Sequence, residues 1–464
     1  MADMTAFDIL ADTDTPVSAW LKLSDLAPRY LLESVEQGQR VARYSFLGFG
    51  ATQRTTLDAG KLVMPDGSQR PAPDGQAAML DALREVLDGA PDLEPSAPDI
   101  PFRGGLVGVA GYDMVRQFER LPDAPPPPDM PQAAYMATES LLVFDHLTRR
   151  IALLHAGTSA DRSQLREAVI ERLRGSLPTS AGAGGLVGDA TASLSREAFC
   201  ERVGAAREHI AAGDIYQIVL SVCFSGKTDV APFEVYRALR LLNPSPYMFF
   251  CDFGDLQVAG SSPEALVRLS GSEASLRPIA GTLPRGRNDA EDQANAEALL
   301  ADPKERAEHV MLVDLARNDL GRVATAGSVE VAPYMSIERY SHVMHIVSGV
   351  QGTLAPDKDA FDLFAAAFPA GTLVGAPKVR AMQLIDGFEP VGRGLYAGTV
   401  GYFGQGGDMD QAITIRTLVF RDGQFSYQAG AGIVADSVPD KEYDEVLAKS
   451  AILRRALQLA GAGL

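Results

Sequence analysis

The strand-like and helix-like segments of this chain come in blocks rather than in strict alternation, and that grouping limits its fold more than any other feature. A doubly wound parallel sheet needs a helix after nearly every strand, so blocks favour an α+β chain. Leu256 to Ile279 alternates apolar and polar residues in several short strands, with Gly271 at a turn. Gln411 to Tyr427 reads as a hairpin turning at Asp422-Gly423, the strongest short hairpin signal. Ser140 to His146 and Ile151 to His155 form another candidate hairpin, and the chain up to about Ala160 reads as short strands and hairpins. Helices are expected over Arg196 to Ala212, capped by Ser195 and closed by Gly213, and over Ala290 to Ala316, broken or kinked at Pro303. A closing helix is expected over Lys441 to Leu459. Pro125 to Pro128, between Pro122 and Pro131, reads as an exposed loop, and Ser176 to Ala192, rich in Gly, Ala, Ser and Thr, as a linker. The expected organisation is therefore an N-terminal domain over 1–165, a linker over 176–192 and a larger domain over 193–460.

A chain of 464 residues, 46% apolar and 22% charged, can bury a sizeable core. Its net charge of -18 argues against nucleic acid or an anionic membrane as a default partner, and an anionic substrate would need a locally basic pocket. Cys200, Cys223 and Cys251 lack metal-binding spacing, as expected in a reducing compartment. Asp3, Asp8, Asp12 and Asp14 stand where a signal peptide would need a basic start, and no apolar stretch reaches membrane-spanning length. The expected location is the cytoplasm.

Three strings carry the chemistry: Ser261-Ser262-Pro263-Glu264, Pro278-Ile279-Ala280-Gly281-Thr282, and the run from Lys304 to Asp319 (KERAEHVMLVDLARND). Together they resemble the chorismate-utilising enzymes, and the resemblance extends from about Ala11 to Leu457. It implies packed antiparallel sheets with helices outside, in two intertwined subdomains with the active site between them. Aminodeoxychorismate synthases commonly carry a nucleophilic lysine at the position of Ala280, whereas anthranilate synthases carry alanine. Isochorismate and salicylate synthases carry a water-activating lysine at the position of Gln217. Glutamine cannot serve as that base, and ammonia, already a nucleophile, needs none. Both positions therefore imply an anthranilate synthase aminating subunit, which adds ammonia to C2 of chorismate and expels pyruvate in the first step of tryptophan biosynthesis. No cysteine sits in the Gly-x-Cys-x-Gly elbow of a glutaminase, so a separate amidotransferase subunit is expected to supply ammonia. Two alternatives stay open: an aminodeoxychorismate synthase that lacks the lysine, and a non-catalytic tryptophan-binding regulator of the same fold.

Glu305 and Glu308, and Glu442 and Glu445, lie three apart on two expected helices, so each pair shares a helix face. Such pairs are ordinarily solvated, but Glu308 opens an otherwise apolar run, His309 to Val313. If the pairs face each other, charges near 4 Å repel by about 4 kcal/mol at an effective dielectric of 20, which a cation would relieve. By resemblance Glu308 and Glu445 bind Mg²⁺, and Glu305 and Glu442 support it through water.

The resemblance also assigns the substrate groups. Arg416 and Tyr396 grip the enolpyruvyl carboxylate with Gly432, Lys449 assists at the ring carboxylate, and Gly430, Thr282 and Thr372 contact substrate. From the sequence alone Arg416 alternates with apolar neighbours on a strand, and an exposed face would suit it equally. Glu264 matches the acid/base group near the C4 hydroxyl, and His345 the group for C2 deprotonation, with His342 more structural. Gly371 to Lys378 looks superficially like a phosphate loop, but its spacing, Pro377 and Val379 do not support ATP binding, and Val374 replaces a serine usual in the family. Finally, Glu33 and Ser34, then Tyr44, then Asn243, Pro244, Tyr247 and Met248 match a tryptophan feedback site, with Tyr402 nearer the catalytic half. Glu33 would meet an amino group, Ser34 the indole nitrogen, and Pro244, Tyr247 and Met248 the ring.

Overall fold

The computed structural model describes residues 6–34, 43–97, 99–122, 125–126, 129–178, 182–339 and 343–464. Asp3, Pro127, Pro128, part of the expected linker (179–181) and His342 lie outside these residues.

Among the described residues, 21 strands join one hydrogen-bonded network, and three more, Ile279–Pro284, Ser336–Arg339 and Val343–Val347, form a small separate sheet. Every pairing is antiparallel, as blocks of strands require. The network draws on both ends of the chain. Pro28–Glu33 pairs on one side with Tyr44–Asp58 and on the other with Tyr247–Asp252, and Gly105–Ala110 pairs with Thr399–Gly404. Where the latter pair cross Gly108 and Gly401, a Cβ would fall about 2 Å from the Ala134 and Asp410 carbonyls, so only glycine lets these backbones approach.

The ends of this network differ from the sequence expectation in three places. First, the region before Ala160 holds helices at Pro16–Lys22 and Gln76–Asp88 and strands of 15 and 13 residues, Tyr44–Asp58 and Ala133–Asp145. The first helix starts at a Thr15–Ser18 capping box with Pro16 in its first turn; the second buries Met79, Leu80, Leu83 and Val86 at helical spacing. Second, the expected linker ends in order: Thr191–Ala192 is a strand on the edge of Gln217–Lys227, and Val187 bridges Thr228. The backbone groups of that edge find partners there, with Ser193 N donating to Cys223 O at 2.8 Å. Third, Gln411–Tyr427 is not one hairpin. Met409–Ile413 pairs with Thr399–Gly404, and the hairpin proper is Thr417–Arg421 with Gln424–Ile433, turning at Asp422 and Gly423, both at positive φ. The helices after Ser195 and on either side of Pro303 form as expected, at Arg196–Ala211, Asp289–Ala301 and Pro303–Gly321, and the closing helix spans Pro439–Ala462.

The ribbon of Gln217–Lys227 and Gln424–Ile433 positions the site. Its registered pairs Ile218–Ile433, Leu220–Ala431, Val222–Ala429 and Phe224–Tyr427 face the main core. Successive strand residues point to opposite sides. The other face therefore carries Val219, Ser221, Cys223 and Ser225 registered against Gly432, Gly430, Gln428 and Ser426, with Gln217 next along the strand. Over this face sits a buried ion pair, Arg393 with Glu389, at 2.7 Å and only 1% and 3% exposed. Removing one member strands the other charge in the interior, at a cost of about 3–5 kcal/mol. Arg393→Met should therefore lower the unfolding free energy in guanidinium by about that amount, and Arg393→Met/Glu389→Leu by clearly less.

Candidate active site

Glu264 follows Pro263 at the entry to the strand Ala265–Ser270, where its carbonyl accepts from Ile413 N at 3.0 Å. Its side chain turns inward. Thr372, in the single turn Gly371–Leu373, donates its hydroxyl to Glu264 Oε1 at 3.2 Å. Burial pushes the Glu264 carboxyl up to about 7, against the Thr372 bond and the charges of Arg416 and Lys449. A carboxyl in this state holds a proton near neutral pH and can give it up, which suits a general acid. A cavity of about 50 Å³ lies beside it, between Glu264, Thr372, Leu312 and Pro278.

Arg416 corrects the sequence reading. It lies not on a strand but in the bend between Met409–Ile413 and Thr417–Arg421, at φ +48, with its carbonyl accepting from Ser261 N at 3.1 Å. The left-handed backbone turns its side chain off the strand alternation and into the interior. There burial lowers its affinity for a proton and Glu264 opposes that shift.

Opposite lie the glycines of the ribbon. A Cβ at Gly430 would meet the Tyr396 hydroxyl at 2.7 Å, and one at Gly432 would meet Gln217 Nε2 at 2.9 Å. Backbone, phenol and amide thus converge here. Lys449 Nζ donates to Gly430 O at 3.1 Å and pairs with Glu445 at 2.7 Å. In the small sheet Ala280 opposes Ile346, and the register slips between Ala280 and Thr282, where Gly281 takes φ +67. His345 Nδ1 donates to Gly281 O at 2.9 Å, with the Thr282 hydroxyl 3.1 Å from the same nitrogen, and burial lowers its pKa. This tautomer leaves the lone pair on Nε2, the form of a base.

The glutamates occupy two helices, Glu305 and Glu308 on Pro303–Gly321, Glu442 and Glu445 on Pro439–Ala462. Burial raises the Glu308 carboxyl, and Glu305 and then Glu445 raise it further; burial and then Glu445 raise Glu442. The two helices therefore feel each other's charge. A Cβ at Gly281 would come 2.9 Å from Glu305 Oε2, which puts this anionic face against the small sheet. Among the described residues no three acidic, His or Cys side chains form a closed metal cage. Carboxylates on two helices that sense each other's charge would suit a hard cation that keeps most of its shell for water and substrate oxygens.

Lys378, at the end of the glycine-rich run, pairs with Asp319 at 2.9 Å in a nearly buried contact. It braces the run against the Pro303–Gly321 helix, in agreement with a reading that excludes ATP. Val374 is buried, and its carbonyl accepts from Val219 N at 2.9 Å. Unforeseen from the sequence is the Arg393–Glu389 pair. Arg393 also donates to Leu373 O and Val219 O, each at 2.8 Å, and stacks over Tyr112 and Tyr396. The loop of Thr372, the strand of Gln217 and the ring of Tyr396 thus share one guanidinium. No periodicity or motif marks these residues.

The second expected site draws on Pro28–Glu33 and Tyr44–Asp58 from the N-terminal half and on Tyr247–Asp252, with the turn before it, and Thr399–Gly404 from the C-terminal half. Met248 registers against Glu33, and Tyr402 packs beside Phe46, itself next to Tyr44. Asn243 Nδ2 donates to Ser261 Oγ at 2.8 Å, and Ser34 and Pro244 are half-buried nearby in the chain. Tyr247 is half-buried against Asp410, with Tyr402 close to both. Glu33 is already engaged, by Arg240 Nε at 3.1 Å and by the Tyr236 hydroxyl, so an incoming ammonium would share it.

The family described as chorismate binding enzyme matches residues 27–455. The anthranilate synthase component 1 of Thermus thermophilus is 46% identical over 460 residues, covering 98% of each chain. That of Pseudomonas aeruginosa is 45% identical, covering 98% of this chain and 95% of its own. The crystal structure of anthranilate synthase component I from Streptococcus pneumoniae superposes with a TM-score of 0.81 at 36% identity, covering 97% of this chain and all of that one. The chain belongs to the chorismate binding enzyme family.

The Thr372 bond favours the charged form of Glu264, so Thr372→Val should raise its pKa above about 7. Carbon-13 NMR of glutamate-labelled protein, with Glu264→Gln to identify the resonance, reads the shift; an unchanged or lower value would contradict this geometry.

Proposed function

We propose that this chain is the aminating subunit of an anthranilate synthase, acting on chorismate with ammonia. The observation that carries the reading is a half-buried Glu264 that accepts from the Thr372 hydroxyl and has its carboxyl pushed up by desolvation beside Arg416, with Gln217 and Ala280 where the lysines of other branches would stand. Ammonia adds its lone pair to C2, the ring double bonds shift, and the C4 hydroxyl leaves as water on receiving a proton from Glu264. His345 then takes the C2 proton, the C3–oxygen bond of the enolpyruvyl ether breaks, and pyruvate leaves as the ring aromatises to anthranilate. That elimination makes the enzyme a lyase.

Arg416 and Tyr396, with the backbone at Gly430 and Gly432, would orient the enolpyruvyl carboxylate. Glu308 and Glu445 would hold magnesium, with Glu305 and Glu442 supporting it through water, and Lys449 would approach the ring carboxylate. When bound, the ion supplies Lewis-acid polarisation of that carboxylate. The excess of negative charge between the helices supports this reading. The relatives' designation as a first component agrees with a glutamine amidotransferase partner. The proposed location is the cytoplasm; among the described residues no helix is long and apolar enough to cross a membrane.

Glu33, Ser34, Tyr44, Asn243, Pro244, Tyr247, Met248 and Tyr402 would together bind tryptophan as feedback inhibitor. Inhibition then requires tryptophan to prefer a less active arrangement of the interleaved halves.

Glu308→Gln should abolish magnesium-dependent anthranilate formation while leaving the thermal unfolding transition in place; full activity would remove the metal assignment. Ser34→Ala should weaken tryptophan inhibition by roughly three- to tenfold, the worth of one hydrogen bond of about 0.5–1.5 kcal/mol, as read from inhibition curves.

A further inference from the structure

The helix Pro303–Gly321 carries Glu305 and Glu308 on a stretch that has no buried residue of its own. Its buried positions begin at His309 and continue through Leu312, Val313, Ala316, Asp319 and Leu320, one stripe at helical spacing. Before His309 the helix is half-buried at Glu305 and Glu308 and otherwise exposed. The placement of the two glutamates therefore depends on the first group that packs, and that group is His309.

His309 is fully buried, and the chemistry above makes no use of it. Its Nε2 lies 2.7 Å from Ser348 Oγ, while its Nδ1 has no partner among the described residues. A buried N–H without an acceptor is costly, so the ring proton sits on Nε2 and is donated to Ser348. Ser348 Oγ also accepts from Met335 N at 2.9 Å, which occupies both of its lone pairs. Ser348 is as buried as His309, and its own N–H donates to Pro278 O at 3.2 Å. These contacts gather all three strands of the small sheet at one end. Ser348 directly follows Val343–Val347, which carries His345; Pro278 directly precedes Ile279–Pro284, which carries Ala280 and Thr282; Met335 directly precedes Ser336–Arg339.

The stripe's other polar member, Asp319, bonds Lys378 about 15 Å farther along the axis. The contacts between are apolar, and such contacts are non-directional, so they leave the rotation of the helix near its glutamates weakly fixed. A carboxylate that ligates a metal must be held to within about 0.5 Å or 10–20°. A directional hydrogen bond beside Glu308 supplies that constraint.

We propose that His309 is a positioning residue: through Ser348 it sets the rotation of the glutamate stretch against the small sheet and so presents Glu308 to the cation. This rests on the magnesium assignment above, and it requires no contact of His309 with metal or substrate.

Metal affinity measured without turnover tests it. Mn²⁺, a hard cation of the same octahedral habit, can be titrated into the chain without chorismate and followed by the electron paramagnetic resonance of the free ion. Ser348→Ala and His309→Leu should each raise the Mn²⁺ dissociation constant roughly fivefold or more, and with it the Mg²⁺ concentration for half-maximal anthranilate formation. His309→Gln, whose amide nitrogen stands as many bonds from Cβ as Nε2 does, should stay within about twofold of the unmodified chain. In each variant kcat at saturating Mg²⁺ should change less than the metal constant. An unchanged Mn²⁺ constant in both variants that lack the bond would overturn the positioning role; a lowered unfolding midpoint alone would mark a residue that serves only the fold. A weakening in His309→Gln as large as in His309→Leu would overturn it too. If instead Glu308→Gln leaves Mn²⁺ binding intact, the metal assignment itself falls, and this inference with it.

Discussion

The site hangs on one buried guanidinium. Arg393 is almost wholly buried, so its donors turn to protein acceptors, and those belong to separate parts of the chain. Glu389 supplies the opposite charge and itself receives the Ser221 backbone N–H at 2.9 Å. Leu373 brings the turn that places Thr372 against Glu264, and Val219 belongs to the strand that carries Gln217. Such a pair adds little net stability over well-packed apolar residues, but either member alone is costly. Its effect is geometric: acid, amide and phenol are held in one register.

Around that hub the electrostatics divide into two regions. Near Glu264 desolvation outweighs the cations and pushes the carboxyl up to about 7, beside the half-buried Arg416. Between the helices of Glu308 and Glu445 negative charges accumulate, with Lys449 and Lys304 as partial compensation. In a chain of net charge -18, the proposed reading takes the first region for the anionic end of the substrate and the second for a cation. A dicarboxylate bound through a divalent ion would use both.

Much of this was legible in the sequence where a local rule decides the outcome. Asp422-Gly423 takes the positive φ values its turn requires, Ser195 caps its helix by accepting from Ala198 N at 3.2 Å, and Pro303 separates two helices. The α+β class followed from the blocks of strands, and the family from three short strings. What escaped depends on partners distant in the chain. The helix at Gln76–Asp88 buries Met79, Leu80, Leu83 and Val86 at helical spacing inside a region whose other signals are those of strands and hairpins. Arg416 looked like a strand residue because alternation in sequence cannot reveal a left-handed bend. Glu389 and Arg393 lie four apart without a helix between them, and nothing local predicts that both are buried. The engagement of Glu33 by Arg240 and Tyr236 joins residues about two hundred positions apart, beyond the reach of any window.

The most direct measurement is on the purified chain alone, supplied with chorismate, Mg²⁺ and ammonium chloride at alkaline pH, with anthranilate fluorescence and released pyruvate followed together. The account predicts both products in equal amounts, dependent on magnesium and on ammonium, without any partner subunit. Chorismate consumed without anthranilate, or with an aminated product that retains its enolpyruvyl group, would contradict it.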